Sequence, residues 1–180
     1  RVHVDRSAIS RDSIHAAHQP PPPARARIDN FPYAFERTMS FEAGYANDPS
    51  DRGGETYRGV SHRSWPRWVG WARVDSAKQA LGLSSTLGAG RRTRQALDSV
   101  LAGDTALQRM IVALYRASYW DPLCLDGEPS REIAAKVFDA AVLSGVGFAR
   151  QMRRAMDSAM GLRPDGVTAC AERPSRQRPN

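Results

Sequence analysis

Histidine and cysteine are scarce in this 180-residue chain, and neither is spaced for metal chemistry. His3, His15 and His18 fall in an aperiodic N-terminal stretch and His62 has no companion at ligand spacing, so no zinc or other cofactor is expected. Cys124 and Cys170 could pair, but two cysteines in a chain of this size more often remain free thiols, and free thiols are the expectation. No apolar run approaches the roughly 20 residues that a membrane-spanning helix requires, so membrane insertion is not expected. A signal peptide's basic segment and apolar core are missing, as is an initiating Met, and export is therefore expected to come from outside the chain, by a pore or by lysis. Gly53-Gly54 is followed by neither Lys-Ser nor Lys-Thr, which removes a phosphate cradle from consideration.

What charge there is collects at the ends. Of the net +7, residues 1–28 supply +3, with five Arg against two Asp, and residues 171–180 supply +2, with three Arg against Glu172. A nucleic-acid footprint would concentrate its cations on a folded face, so nucleic acid is not an expected partner, whereas a mild positive charge suits an anionic wall polymer. Residues 1–28 include Gln19-Pro20-Pro21-Pro22-Pro23 and read as a flexible Pro/Arg-rich arm, and residues 171–180 as a disordered tail. The chain is 41% hydrophobic, enough for one core and too short for a second domain of ordinary size, which leaves a single domain over residues 29–170.

Residues 41–61 hold the chemistry. They place Glu42, Asp51, Glu55 and Thr56 around a glycine-rich turn, and glycosidic hydrolysis needs one protonated acid for the leaving oxygen and one ionised carboxylate for water or for the sugar. Phe31, Phe35, Met39 and Glu42 recur on one helical face, with Asp29 or Asn30 as cap and Pro32 tolerated in the first turn. Glu42 thus closes an apolar stripe, where desolvation is expected to raise its pKa as a general acid requires. Asp51 lies among Asn47, Asp48, Gly53 and Gly54, a polar setting in which it is expected to stay ionised; Glu55 is the other choice for the second carboxylate, and Asp48 reads as a turn residue.

The run resembles the signature of glycoside hydrolase family 108, whose members are N-acetylmuramidases of the phage endolysin and secretion activator type. The pattern is carried by Glu42-Ala43-Gly44-Tyr45, Asn47-Asp48-Pro49, Asp51, Gly53-Gly54-Glu55-Thr56 and Gly59-Val60-Ser61. Two further blocks, Leu114 to Pro122 and Val137 to Gly145, are similar to the family's later motifs, and the resemblance covers roughly residues 31–167. The order Glu42, Asp51, Thr56 is also similar to the Glu-Asp-Thr arrangement of phage-type lysozymes. Departures are Ala43 for a glycine, Arg52 for a proline, Leu143 for an asparagine, and a segment that diverges after Asp165-Gly166-Val167-Thr168.

The resemblance implies an α+β, mostly helical, lysozyme-like domain with a small β-hairpin beside the catalytic helix, and a degenerate peptidoglycan-binding-like segment over about residues 130–170. It implies a monomeric muramidase cleaving the β-1,4 bond between N-acetylmuramic acid and N-acetylglucosamine at the bacterial cell wall, in the periplasm or after phage release. Its catalytic residues would be Glu42, Asp51 and Thr56, with Tyr45, Glu55, Tyr57 and Trp65 toward the glycan. The alternative is a non-catalytic wall-binding or structural protein on the same fold.

Elsewhere the pattern is helical. Asp104 caps a helix bearing Leu107, Ile111 and Leu114, and Ser130 caps one bearing Ile133, Val137, Phe138 and Ala141 that Gly145 ends. A last helix is expected to turn Phe148, Met152, Ala155 and Met156 inward and Arg150, Arg153 and Arg154 outward until Gly161. Trp65, Trp68 and Trp71 either stack on sugar faces or pack in the core. Residues 84–90 read as a loop, and Arg91-Arg92-Thr93-Arg94 as a solvated helix start.

Overall fold

The computed structural model describes residues 29–40, 44–50 and 53–161. Glu42, Asp51, the N-terminal arm, Cys170 and the C-terminal tail lie outside these residues. Among the described residues six α-helices, α1 (Phe31–Met39), α2 (Trp71–Ala80), α3 (Arg91–Gly103), α4 (Thr105–Tyr115), α5 (Arg131–Ser144) and α6 (Val146–Ala159), accompany three short strands, β1 (Tyr45–Ala46), β2 (Thr56–Tyr57) and β3 (Val60–Ser61). The domain is α+β and mostly helical, as expected from the sequence.

The first helix forms for the reasons its sequence suggests. Pro32 sits in the first turn, where its missing N–H is harmless. Asp29 Oδ1 accepts the Phe31 N–H at 3.2 Å, while the Asn30 side chain instead reaches the Glu128 carbonyl at 2.7 Å and ties α1 to the start of α5. Phe31 and Met39 are buried and Phe35 packs beside them, so the apolar stripe faces inward. Phe31 meets Trp120 and Phe138 edge to face, with centroids 5.2 and 5.8 Å apart, and Phe35 meets Tyr115 at 5.7 Å. Such pairs add about 0.5–1.5 kcal/mol each beyond area burial. Thr38 Oγ1 donates to Asp139 Oδ1 at 3.2 Å, a second tie between α1 and α5.

The block Leu114 to Pro122 leaves α4 through a π-helical turn, Arg116–Trp120, and a 3-10 turn, Asp121–Leu123. The wider turn swings the Trp120 ring into the core, where it is fully buried and its Nε1 donates to Asp126 at 2.8 Å. Arg116 lies over the Phe31 ring and pairs with Asp126 at 2.9 Å, so this motif is a packing hub.

Two expectations need correction. Cys124 is disulfide-bonded, not a free thiol, and no described cysteine is free. Bridging depends on spatial approach of the two Cβ atoms, which cysteine number does not reveal. In α6 the deeply buried residues are Ala149 and Asp157, whereas Phe148 is 51% exposed and Arg153 faces inward. The reason is Glu128, a buried carboxylate that needs a cation: Arg153 Nη1 lies 2.5 Å from its Oε2, and Arg153 Nε bonds Asp157 at 2.9 Å.

Candidate active site

The sheet is antiparallel in the order β1-β2-β3, pairing Tyr45 with Tyr57, Ala46 with Thr56, and Tyr57 with Val60. Arg58-Gly59 turns the chain between β2 and β3 with positive φ at both residues, 45° and 75°, the pattern of a type I′ hairpin turn. Val60 therefore starts a third strand instead of extending β2. Glycine meets the second position without strain; Arg58 is held there by its contacts with α4. Its Nη1 donates to Gln108 Oε1 at 2.6 Å and its carbonyl accepts from the Tyr115 hydroxyl at 2.9 Å.

Tyr45 is the centre of this region. Its amide donates to Asp98 Oδ1 on α3, its ring is buried, and its hydroxyl donates to Glu55 Oε1 at 2.8 Å and shares a hydrogen bond with Thr86 Oγ1. Burial is the main cause pushing the Tyr45 phenol up to about 12; the Thr86 bond opposes the rise and Glu55 adds to it. Glu55 Oε1 also accepts from Lys78 Nζ at 2.8 Å, and Lys78 bonds Asp75 at 2.7 Å. Burial alone would lower the Lys78 pKa, but the bonds to Asp75 and Glu55 outweigh it and the ammonium is stabilised.

Thr56 is half-buried on β2 and its hydroxyl donates to the Gly54 carbonyl at 3.2 Å. Asp48 accepts from the Ser50 N–H and hydroxyl at 2.8 and 2.6 Å; these bonds hold its carboxyl below its usual range and make it the turn residue that its sequence context suggests. Asn47 completes the link to the 84–90 loop: its Nδ2 donates to Thr86 at 3.1 Å and its carbonyl accepts from Gly88 N at 2.8 Å. The loop, shapeless in sequence, is thus docked on the glycine-rich turn through a buried threonine.

Of the residues expected to face glycan, the structure brings Tyr45 and Tyr57 together in the sheet, with Glu55 just before β2 bonded to Tyr45. Tyr57 is 2% exposed and its hydroxyl accepts from Gln108 Nε2 at 3.1 Å, so its ring belongs to the core. Trp65 and Trp68 are half-buried beside Trp71, which is itself buried, stacks near His62, and donates from Nε1 to the Trp65 carbonyl at 2.8 Å. Lys78, Thr86, Asp98 and Gln108 were not singled out from sequence. Lys78 had one faint signal, the Asp75 carboxylate three residues before it on the same helix.

A mostly helical α+β domain whose small antiparallel sheet is tied to α2, α3 and α4 by polar side chains has a lysozyme-like organisation. The family model described as Glycosyl hydrolase 108 matches residues 35–145, and the chain belongs to glycoside hydrolase family 108. That span runs from Phe35 in α1 through the sheet to Gly145 and includes Glu42 and Asp51 in sequence. No curated protein and no solved structure gives a significant match to the chain. Among the described residues no helix is long and apolar enough to cross a membrane.

Proposed function

We propose that the chain is a peptidoglycan hydrolase, an N-acetylmuramidase that cleaves the β-1,4 bond between N-acetylmuramic acid and N-acetylglucosamine by general acid catalysis. The observation that carries this reading is the family's acidic run, Glu42 to Ser61, lying within the matched glycoside hydrolase span and leading directly from α1 into the sheet. Glu42 protonates the leaving oxygen, and Asp51, helped by Thr56, orients or activates water. Glu55 braces the site, because Lys78 and Tyr45 both engage its Oε1.

The distance between the two reacting carboxyls sets the stereochemistry. A separation of about 6.5–9.5 Å admits water and inverts the anomeric centre, and about 5–5.5 Å retains it. The enzyme acts as a monomer on glycan strands at the bacterial wall. The disulfide at Cys124 supports an oxidising location such as the periplasm.

The test is lysis of purified sacculi by three variants. Glu42→Gln keeps the side chain's shape but cannot act as the acid, so lysis is abolished at unchanged thermal stability. Asp51→Asn loses most turnover, and Glu55→Gln loses less turnover but some stability. A lytic Glu42→Gln sinks the assignment of the acid, and a harsher effect from Glu55→Gln than from Asp51→Asn moves the second carboxylate to Glu55.

A further inference from the structure

We infer that Asp98 is a positioning residue for this hydrolysis: from α3 it clamps the backbone that follows the proposed acid. The inference rests on the reading of Glu42 as that acid. Three observations meet at Gly44, two positions beyond it. Asp98 Oδ1 accepts the Tyr45 N–H. A Cβ on Gly44 would overlap all three atoms of the Asp98 carboxyl, so the glycine is the space that the carboxylate fills. The Gly44 carbonyl accepts from the Arg58 N–H at 3.4 Å, which ties the same peptide to the hairpin turn. On the other side, the Ser40 N–H bonds the Glu36 carbonyl at 2.9 Å and closes α1. Glu42 is the middle residue of the three between these two anchors.

The division of labour on α3 separates this role from packing. Leu97 and Leu101 are fully buried and hold the helix to the core, while Asp98, between them in sequence, adds a polar bond to one particular peptide. A side-chain oxygen accepting that backbone N–H fixes the peptide at one point of α3, and a carboxamide oxygen in the same place can accept it too. Placement of a catalytic group is worth such a clamp, since a shift of about 1 Å in a reacting group costs on the order of a hundredfold in rate.

The test compares kcat and KM of the full chain on soluble peptidoglycan fragments for Asp98→Ala, Asp98→Asn, Gly44→Ala and the Gly44→Ala/Asp98→Ala pair, beside Glu42→Gln. Asp98→Ala is expected to lose about a hundredfold in kcat, with KM changed less than about twofold. Asp98→Asn, whose Oδ1 accepts the same N–H, recovers most of that loss. Gly44→Ala is impaired on its own, and adding Asp98→Ala lowers it no further, because the clamp is already displaced. Should Asp98→Ala fail to fold, the other two singles decide: an active Asp98→Asn beside a Gly44→Ala that loses kcat at constant KM supports the role, and a Gly44→Ala with unaltered kcat overturns it. Unaltered kcat in Asp98→Ala beside an inactive Glu42→Gln overturns the positioning role alone. An Asp98→Asn as impaired as Asp98→Ala also overturns it, because the charge would then matter and not the bond. An active Glu42→Gln removes the acid assignment itself.

Discussion

Tyr45 has its amide on Asp98 and its hydroxyl on Glu55 and Thr86, so one residue near the start of the acidic run joins α3, the residue before β2 and the 84–90 loop. This arrangement has a consequence at high pH. The folded-state pKa of Tyr45, about 12, lies above its ordinary 10.0, and that of Lys78 is raised as well, so the folded protein holds these protons longer than the unfolded chain does. Their contribution is complete below pH 10.0 and is lost as the pH climbs through about 12. The thermal midpoint should fall across that window, and Tyr45→Phe should fall less steeply; equal slopes would contradict the assigned network. Residues 45, 55 and 57 are legible from sequence as neighbours but not as to which way they face. Tyr45 and Tyr57 are directly paired across β1 and β2, and that register, which turns both rings inward, leaves no mark in spacing. Asp98 was not legible at all, since its partner is a backbone amide that any residue could present.

Caps and apolar periodicity made most of the helices readable. Asp104 accepts the Ala106 and Leu107 N–H groups at 3.0 Å and Ser130 accepts that of Ile133, each placed before an apolar run whose members are buried or half-buried against the core. Met152 packs against the core as its spacing suggests, but Phe148 does not, because the deeply buried side of α6 is chosen by a carboxylate on the turn before α5. Glu128 has a side chain only 4% exposed, and Arg153 is the cation beside it. Arg153→Met would leave that carboxylate buried without its partner, a loss of about 3–5 kcal/mol. Urea denaturation measures it, and a loss under about 1 kcal/mol would mean that solvent, not Arg153, satisfies Glu128. Pairing Arg153→Met with Glu128→Leu should restore only part of the stability, since Glu128 then carries no desolvation penalty but the buried Asp157 still lacks Arg153.

At the scale of the whole molecule, three ordered sequence blocks came to different ends. The first supplies the sheet and the acidic run, the second becomes the aromatic hub around Trp120, and the third is the body of α5, where Phe138 packs on Phe31 and Trp120. Only the first carries the proposed chemistry; the other two pack against α1. Leu143, at the end of the third block, is 71% exposed, and nothing in the structure explains the apolar residue there. The disulfide at Cys124 was beyond sequence arithmetic because cysteine number and spacing do not report the approach of two Cβ atoms. The central claim is that this domain cuts the glycan on the reducing side of muramic acid, and mass spectrometry of purified sacculi after digestion tests it most directly. The account predicts new reducing ends on N-acetylmuramic acid from the wild-type chain and none from Glu42→Gln. Reducing ends on N-acetylglucosamine, or no new ends from a folded wild-type chain, would contradict it.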